Sequence, residues 1–152
     1  SLMKTETIIS LAKKHGFYYK TTGVWHKTNP MPRNMNLHFV GSVEGWLYFI
    51  YDKKTGTFNN HGKAIHDFIE TPVISQSEKT YGKHPTQKPL KLIDHFVTIL
   101  SHEGDLVLDP FMGSGTSGVS AMVNKRRFIG SEIHEEYFQL SYNRIQQSLN
   151  VS

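Results

Sequence analysis

Asp109, Gly113, Gly115, Gly118 and Glu132 are the residues whose types and spacing could do chemistry. The glycines fall as G-x-G-x-x-G, and Glu132 stands 19 residues after the first of them. Glycines in such a loop let the backbone approach a ligand that any Cβ would hold off, and a helix N-terminus behind them favours polar ligand groups. An acid at the tip of a following strand is placed to accept hydrogen bonds from a ribose diol. The chemistry implied is the holding of a nucleotide-type ligand. The bland alternative is a tight structural turn.

The neighbouring elements favour the ligand. A short apolar run, Leu106-Val107-Leu108, reads as a strand ending at Asp109. The glycine loop comes next, then a helical segment and a second strand, Arg127 to Gly130, leading to Glu132. Strand, glycine turn, helix, strand and terminal acid make half of a nucleotide-binding fold. A P-loop is excluded, because Thr116-Ser117 rather than Lys-Ser/Thr follows the glycines. A dinucleotide site needs a second half downstream, and the 20 residues after Glu132 suffice for one helix. A single adenosine-type ligand is the expectation.

The other elements follow from periodicity. Thr5 to His15 has Ile8, Ile9, Leu11 and Ala12 at helical spacing, with Thr5 as candidate N-cap and Gly16 as stop. Phe17 to Lys27 reads as a strand, and Gly45 to Tyr51, the most apolar run, as a buried one; the two could pair as an antiparallel ribbon. Thr28-Asn29-Pro30-Met31-Pro32 breaks regular structure. Lys53 to Lys83 is polar and aperiodic, an excursion with little core of its own. A helix begins near Pro89 with Leu90, Ile93, Phe96, Val97 and Leu100 on its apolar face. A last helix, His134 to Leu149, turns Tyr137, Leu140 and Ile145 inward.

Composition narrows the setting. The 152 residues suit one domain, and with no cysteine there can be neither disulfides nor thiolate metal sites, which fits a reducing cytoplasm. The formal charge of +4 permits a polyanionic partner without requiring one. Nine histidines, His61 and His66 among them, lack any metal-ligand spacing, so no metal is expected. No apolar run is long enough to suggest a membrane helix or signal peptide. Ser1-Leu2 ahead of Met3 looks like a cloning remnant, with a natural start at Met3.

Asp109-Pro110-Phe111-Met112-Gly113-Ser114-Gly115-Thr116 resembles the S-adenosylmethionine-binding motif of amino-directed DNA methyltransferases. His84-Pro85-Thr86-Gln87-Lys88-Pro89, just before it, resembles the segment lining the methionine end of the cofactor in the permuted beta group of these enzymes. Phe128 to Ile133 resembles the strand that follows, and Gly16 to Pro32 the segment preceding the target-recognition region. The order of the pieces matches the beta group over most of the chain. The resemblance implies an α/β, Rossmann-like methyltransferase fold, here an incomplete sheet with an antiparallel ribbon and an inserted recognition region. It makes residues 1–152 one partial domain, with recognition in 33–83 and cofactor binding in 84–149.

Carried over residue by residue, the resemblance gives Asp109 the cofactor's amino group and Glu132 the ribose hydroxyls. Phe111, Gly113, Gly115 and Thr116 would shape the loop, and Thr86, Gln87 and Lys88 would complete the pocket. Ser117 stands where a second threonine is frequent and Ser131 where a second glycine is usual; both replacements are small. Between 33 and 83, lysines and arginines can neutralise phosphates while Asn and Gln can read adenine edges. From composition this is a solvated polar loop; under the resemblance it is the sequence-reading region, with Arg33, Asn34, Lys53, Lys54 and Lys63 as candidate DNA contacts.

The family's chemistry also needs an Asp/Asn/Ser-Pro-Pro-aromatic motif to hold the flipped base, and no such tetrapeptide occurs in these residues. The expectation is therefore the C-terminal portion of such an enzyme, inactive in isolation. It would act on double-stranded DNA, adenine N6 before cytosine N4, with a separate N-terminal half or by self-association through open sheet edges. A catalytically inactive DNA-binding remnant and a non-DNA Rossmann-type enzyme are the alternatives, and the His84–Pro89 segment argues against the second.

Overall fold

The computed structural model describes residues 4–32, 36–54, 56–80 and 82–149. They form two compact units that divide after Pro72.

The first unit opens with helix α1 (Thr5–Lys14). Its N-cap position is Lys4 with no side-chain bond, so Thr5 lies inside the helix and does not cap it. Gly16 ends the turn at φ +82°, the left-handed conformation that favours glycine. The helix buries none of its residues, and Ile8 and Leu11 remain exposed. Strand β1 (Phe17–Lys27) pairs antiparallel with β2 (Val43–Tyr51), giving the expected ribbon, with a register shift between Tyr19 and Thr21.

β2 is an edge strand and is half-buried rather than buried, which corrects the reading of its apolar run. On the other side of β1 lies β3 (Phe68–Thr71), parallel to Val24–Lys27. This strand falls in the stretch expected to have little core, yet it buries Ile69 and Thr71. The Trp25 indole N–H donates to the Thr71 hydroxyl at 2.8 Å, and that hydroxyl donates on to the Pro72 carbonyl. The core of the unit is thus fixed in register by a satisfied polar chain.

The second unit carries the glycine loop. A short 3-10 turn, Ser77–Lys79, precedes α2 (Leu90–Leu100). Pro89 occupies the N-cap position of α2 in extended conformation, where its missing N–H costs nothing. Leu92 and Val97 are the fully buried residues of this helix, so its inward face is turned toward Leu92, and Leu90, Ile93, Phe96 and Leu100 are half-buried. Strand β4 (Leu106–Asp109) leads into the loop, helix α3 (Thr116–Val123) follows, and β5 (Arg127–Gly130) pairs parallel with β4. Helix α4 (Glu135–Leu149) closes the unit, burying Leu140, Ser141 and Arg144.

β4 and β5 form a two-stranded sheet among the described residues. Val107 and Phe128 are half-buried, whereas Leu106, Leu108 and Ile129, displaced by one residue, are exposed. Parallel strands are ordinarily covered on both faces, so one face and the outer edges of this sheet are bare.

The glycines explain how tightly α3 is seated. A Cβ on Gly118 would lie 2.4 Å from Ile145 Cδ1 and 2.8 Å from Phe128 Cε1. A Cβ on Gly115, at φ +73°, would meet Ser141 Cβ at 2.7 Å and its Cα at 3.0 Å. The backbone of α4 cannot yield as a side chain tip could. Gly115→Ala should therefore combine a left-handed penalty of about 1–2 kcal/mol with an overpacking cost of about 1–3 kcal/mol. Urea unfolding would measure it; stability equal to wild type would refute the packing described.

Candidate functional site

Thr86, Gln87, Lys88, Asp109, Phe111, Gly113 and Thr116 line one cleft of about 200 Å³. It lies between the loop that follows β4 and the segment leading into α2. Seven of the nine residues assigned to cofactor binding from the sequence thus meet around one space. Gly115 lies behind it as the left-handed N-cap of α3, packed on Ser141. Glu132 sits at the loop's outer side, where its Oε2 accepts the Gly113 N–H at 3.0 Å and its Oε1 that of His134 at 3.0 Å.

The loop is held by its own acid as well. Asp109 Oδ1 accepts the Phe111 N–H at 3.0 Å, and Oδ2 accepts the Ser117 hydroxyl. Ser117 therefore supplies the hydroxyl that the more frequent threonine would. Ser131 is equally accommodated: its hydroxyl donates to the Pro110 carbonyl at 2.7 Å. Phe111, 88% exposed, stands at the mouth as an apolar surface with no cover of its own.

The opposite wall contains an unmet acceptor. Gln87 is buried, and its Nε2 donates to the Glu78 carbonyl at 2.9 Å. That bond fixes the amide orientation and leaves Oε1 buried with no hydrogen-bond partner among the described residues. A buried carbonyl without a donor costs about 1–3 kcal/mol.

Five further residues line the cleft that the assignment had left out: His84, Ile93, Met112, Ser114 and Ser117. His84 stood within the quoted motif, so the signal for it was present. Its Nδ1 lies 3.3 Å from the Thr86 N–H, which donates to it, and its ring meets Tyr137 edge-on at 4.3 Å. A Cβ on Gly113 would come within 3.1 Å of that ring, so the glycine makes room for the imidazole. Burial lowers the His84 pKa from the ordinary 6.5, partly opposed by the Glu132 charge. Burial lowers that of His95 likewise. Glu132 is held below the ordinary 4.5, chiefly by the His134 N–H, against desolvation and with help from the Gly113 N–H.

The candidate DNA contacts lie elsewhere. Arg33 and Asn34 fall outside the described residues. Lys53, at φ +55°, places its ammonium 5.2 Å from the centre of the Tyr18 ring. Lys54 pairs with Asp52 at 3.4 Å, an exposed pair of small energetic weight. Lys63 is exposed. Among the described residues no cluster of three His, Asp or Glu is placed to hold a metal, and no helix is long and apolar enough to cross a membrane.

A β-strand, glycine loop, helix and parallel strand around a cleft closed by an acid define a nucleotide-type α/β binding site. The chain belongs to the DNA methylase family, whose profile matches residues 2–143. It is 36% identical over 143 residues to the Type II methyltransferase M2.DpnII of Streptococcus pneumoniae, covering 88% of this chain and 53% of that protein. It is 36% identical over 151 residues to M2.MboI of Moraxella bovis, covering 91% and 54%. The chain spans about half the length of these curated relatives.

Among solved structures it is similar to that of the M1.HpyAVI–SAM complex, with a TM-score of 0.86 at 37% identity over 95% of this chain and 71% of that one. The PvuII DNA methyltransferase (cytosine-N4-specific) shares the fold at a TM-score of 0.77 and 20% identity, over 99% of this chain and 62% of that one. The fold is accordingly the Rossmann-like α/β fold of these methyltransferases, carried here by partial sheets.

The pKa directions fix a pH dependence. His84 and His95 bind protons more weakly folded than unfolded, so stability should fall as the pH drops below about 6.5. The contribution of Glu132 is present above 4.5 and lost as the pH falls through its lower folded value. Urea midpoints at pH 8, 6, 5 and 4 should decline in that order. Replacing both histidines by Asn should flatten the first part of the decline; an unchanged slope between pH 7 and 5 would contradict the assignment.

Proposed function

We propose that this chain is the S-adenosylmethionine-binding and DNA-recognising portion of an amino-directed DNA methyltransferase of the permuted beta group. The observation that carries the reading is the cleft itself. A glycine loop with Asp109 at its base faces Thr86, Gln87 and Lys88 across it. When bound, the cofactor supplies an electrophilic methyl group.

The chain's own residues hold it. Asp109, already accepting one bond on each oxygen, retains acceptor capacity for the cofactor's ammonium group. Glu132, anchored by two backbone N–H groups, accepts the ribose hydroxyls with its remaining lone pairs. Gly113 and Gly115 keep the loop free of Cβ atoms beside the ligand. Phe111 gives an apolar surface at the mouth.

Residues 33–83 contact double-stranded DNA in this reading, with Arg33, Asn34, Lys53, Lys54 and Lys63 as the candidate contacts. The methylated group is the amino nitrogen of a flipped base, adenine N6 in preference to cytosine N4 on family frequency. The Pro-Pro-aromatic tetrapeptide that would hold that base comes from a separate N-terminal half. The bare face of β4 and β5, with Leu106, Leu108 and Ile129 exposed, supports a covering element of that kind. Self-association through the same sheet is the alternative.

Calorimetric titration of the folded chain with S-adenosylmethionine should detect binding, and Asp109→Asn should weaken it at least tenfold. The chain alone should transfer no tritium from labelled cofactor to DNA, and activity should appear on adding an N-terminal half that carries the tetrapeptide. Transfer by the chain alone, or absence of binding by the folded chain, would sink the corresponding part.

DNA binding has its own measurement. Replacing Lys53, Lys54 and Lys63 by Ala should reduce the slope of log affinity against log salt by up to about 2.7, at 0.9 per phosphate contact. An unchanged slope would remove these lysines from the interface.

A further inference from the structure

Arg144 in α4 is 7% exposed, an unusual place for a guanidinium, and it does not line the cleft. Its Nη1 donates to the Ser114 carbonyl at 2.5 Å and to the Thr116 hydroxyl oxygen at 3.2 Å. The Thr116 proton is committed to the Lys88 carbonyl, 3.2 Å away. That hydroxyl oxygen is therefore an acceptor toward Arg144, and Ser114, at 3.3 Å, must donate to it. Ser114 and Thr116 are themselves 3% and 5% exposed, so no water replaces these bonds.

Arg144 thus holds one wall of the cleft, and the Thr116 hydroxyl that it fixes makes the tie to the other. Ser114 and Thr116 belong to the glycine loop, and Lys88 belongs to the segment opposite. Glu78 completes the arrangement on the far wall. Its Oε2 accepts the Leu90 N–H at 2.8 Å, its backbone carbonyl accepts from Gln87, and its charge favours the buried guanidinium. A buried ion left without such partners would cost several kcal/mol.

We propose that Arg144 is a positioning residue for the cofactor cleft, holding the Ser114–Thr116 loop against Lys88 and so setting ligand affinity without touching the ligand. The inference rests on the reading of the cleft as an S-adenosylmethionine site. Both bonds leave from Nη1 alone, so a lysine ammonium that reaches the same point can make them in part.

The test compares Arg144→Met and Arg144→Lys with wild type, at a temperature where circular dichroism finds each folded. One readout is the Kd for S-adenosylmethionine by calorimetry. The other is amide hydrogen exchange of Gly113 to Ser117, without ligand, relative to α2. Arg144→Met should weaken binding at least tenfold and speed exchange in the loop, while Arg144→Lys recovers at least threefold of the lost affinity.

A merely structural arginine would lower the melting temperature and leave the Kd of the folded variant within twofold of wild type; that result overturns the proposal. Failure of the wild-type chain to bind would refute the reading of the cleft, and loop exchange would still decide the role of Arg144. If Arg144→Met does not fold, Arg144→Gln carries both readouts, and wild-type values in it count against the proposal.

Discussion

A loop that must leave space for a ligand cannot be stabilised by packing into that space. Residues 113–116 meet this constraint by being held from behind and from the side through hydrogen bonds. Glu132 takes the Gly113 N–H, Arg144 takes the Ser114 carbonyl, and Thr116 reaches across to Lys88. Each tie satisfies a polar group that would otherwise be buried or strained, and each comes from a different element. The cleft therefore stays open without a core of its own.

The same constraint shapes the packing around the loop. Gly115 lies against the α4 backbone at Ser141, and Ser141 is fully buried. Ser120, also fully buried, donates to Asp94 in α2, and Asn124 donates to the same carboxylate oxygen. Arg126 bonds to Ser101 through both its hydroxyl and its carbonyl. Small polar residues let the helices approach closely, and their satisfied bonds replace much of the specificity that interdigitated apolar side chains would give. Among the described residues the apolar core of this unit is short: Leu92, Val97, Met112, Val119, Ala121 and Leu140.

This arrangement explains what was legible in the sequence. The glycine loop and its strands are written in local signals, namely spacing, short apolar runs and a terminal acid, and β1 matches its expected range of Phe17 to Lys27. β3 was not legible, because four residues in a polar stretch gain their meaning from a parallel pairing about 44 residues away in sequence, as in Val24 with Phe68. Arg144 was hidden for a related reason. An arginine on a helix reads as solvated unless its buried partners are known, and those partners lie 28 and 30 residues upstream. Leu92 was missed through an error of helix rotation, since the α2 face was set from Leu90 and Ile93.

Among the described residues the ties to the loop come from within the second unit: the 84–89 segment, α4, Glu132, Asp109 at the end of β4 and Ser131 after β5. None comes from the bare face of the sheet. Completion of that sheet and formation of the cleft are therefore separable physical problems. The first requires apolar cover for Leu106, Leu108 and Ile129. The second requires that α2, α3 and α4 pack closely enough for Arg144 to hold the loop and for Thr116 to reach Lys88. A chain that solves the second without the first can hold an open cleft while still presenting the surface on which a further element would build.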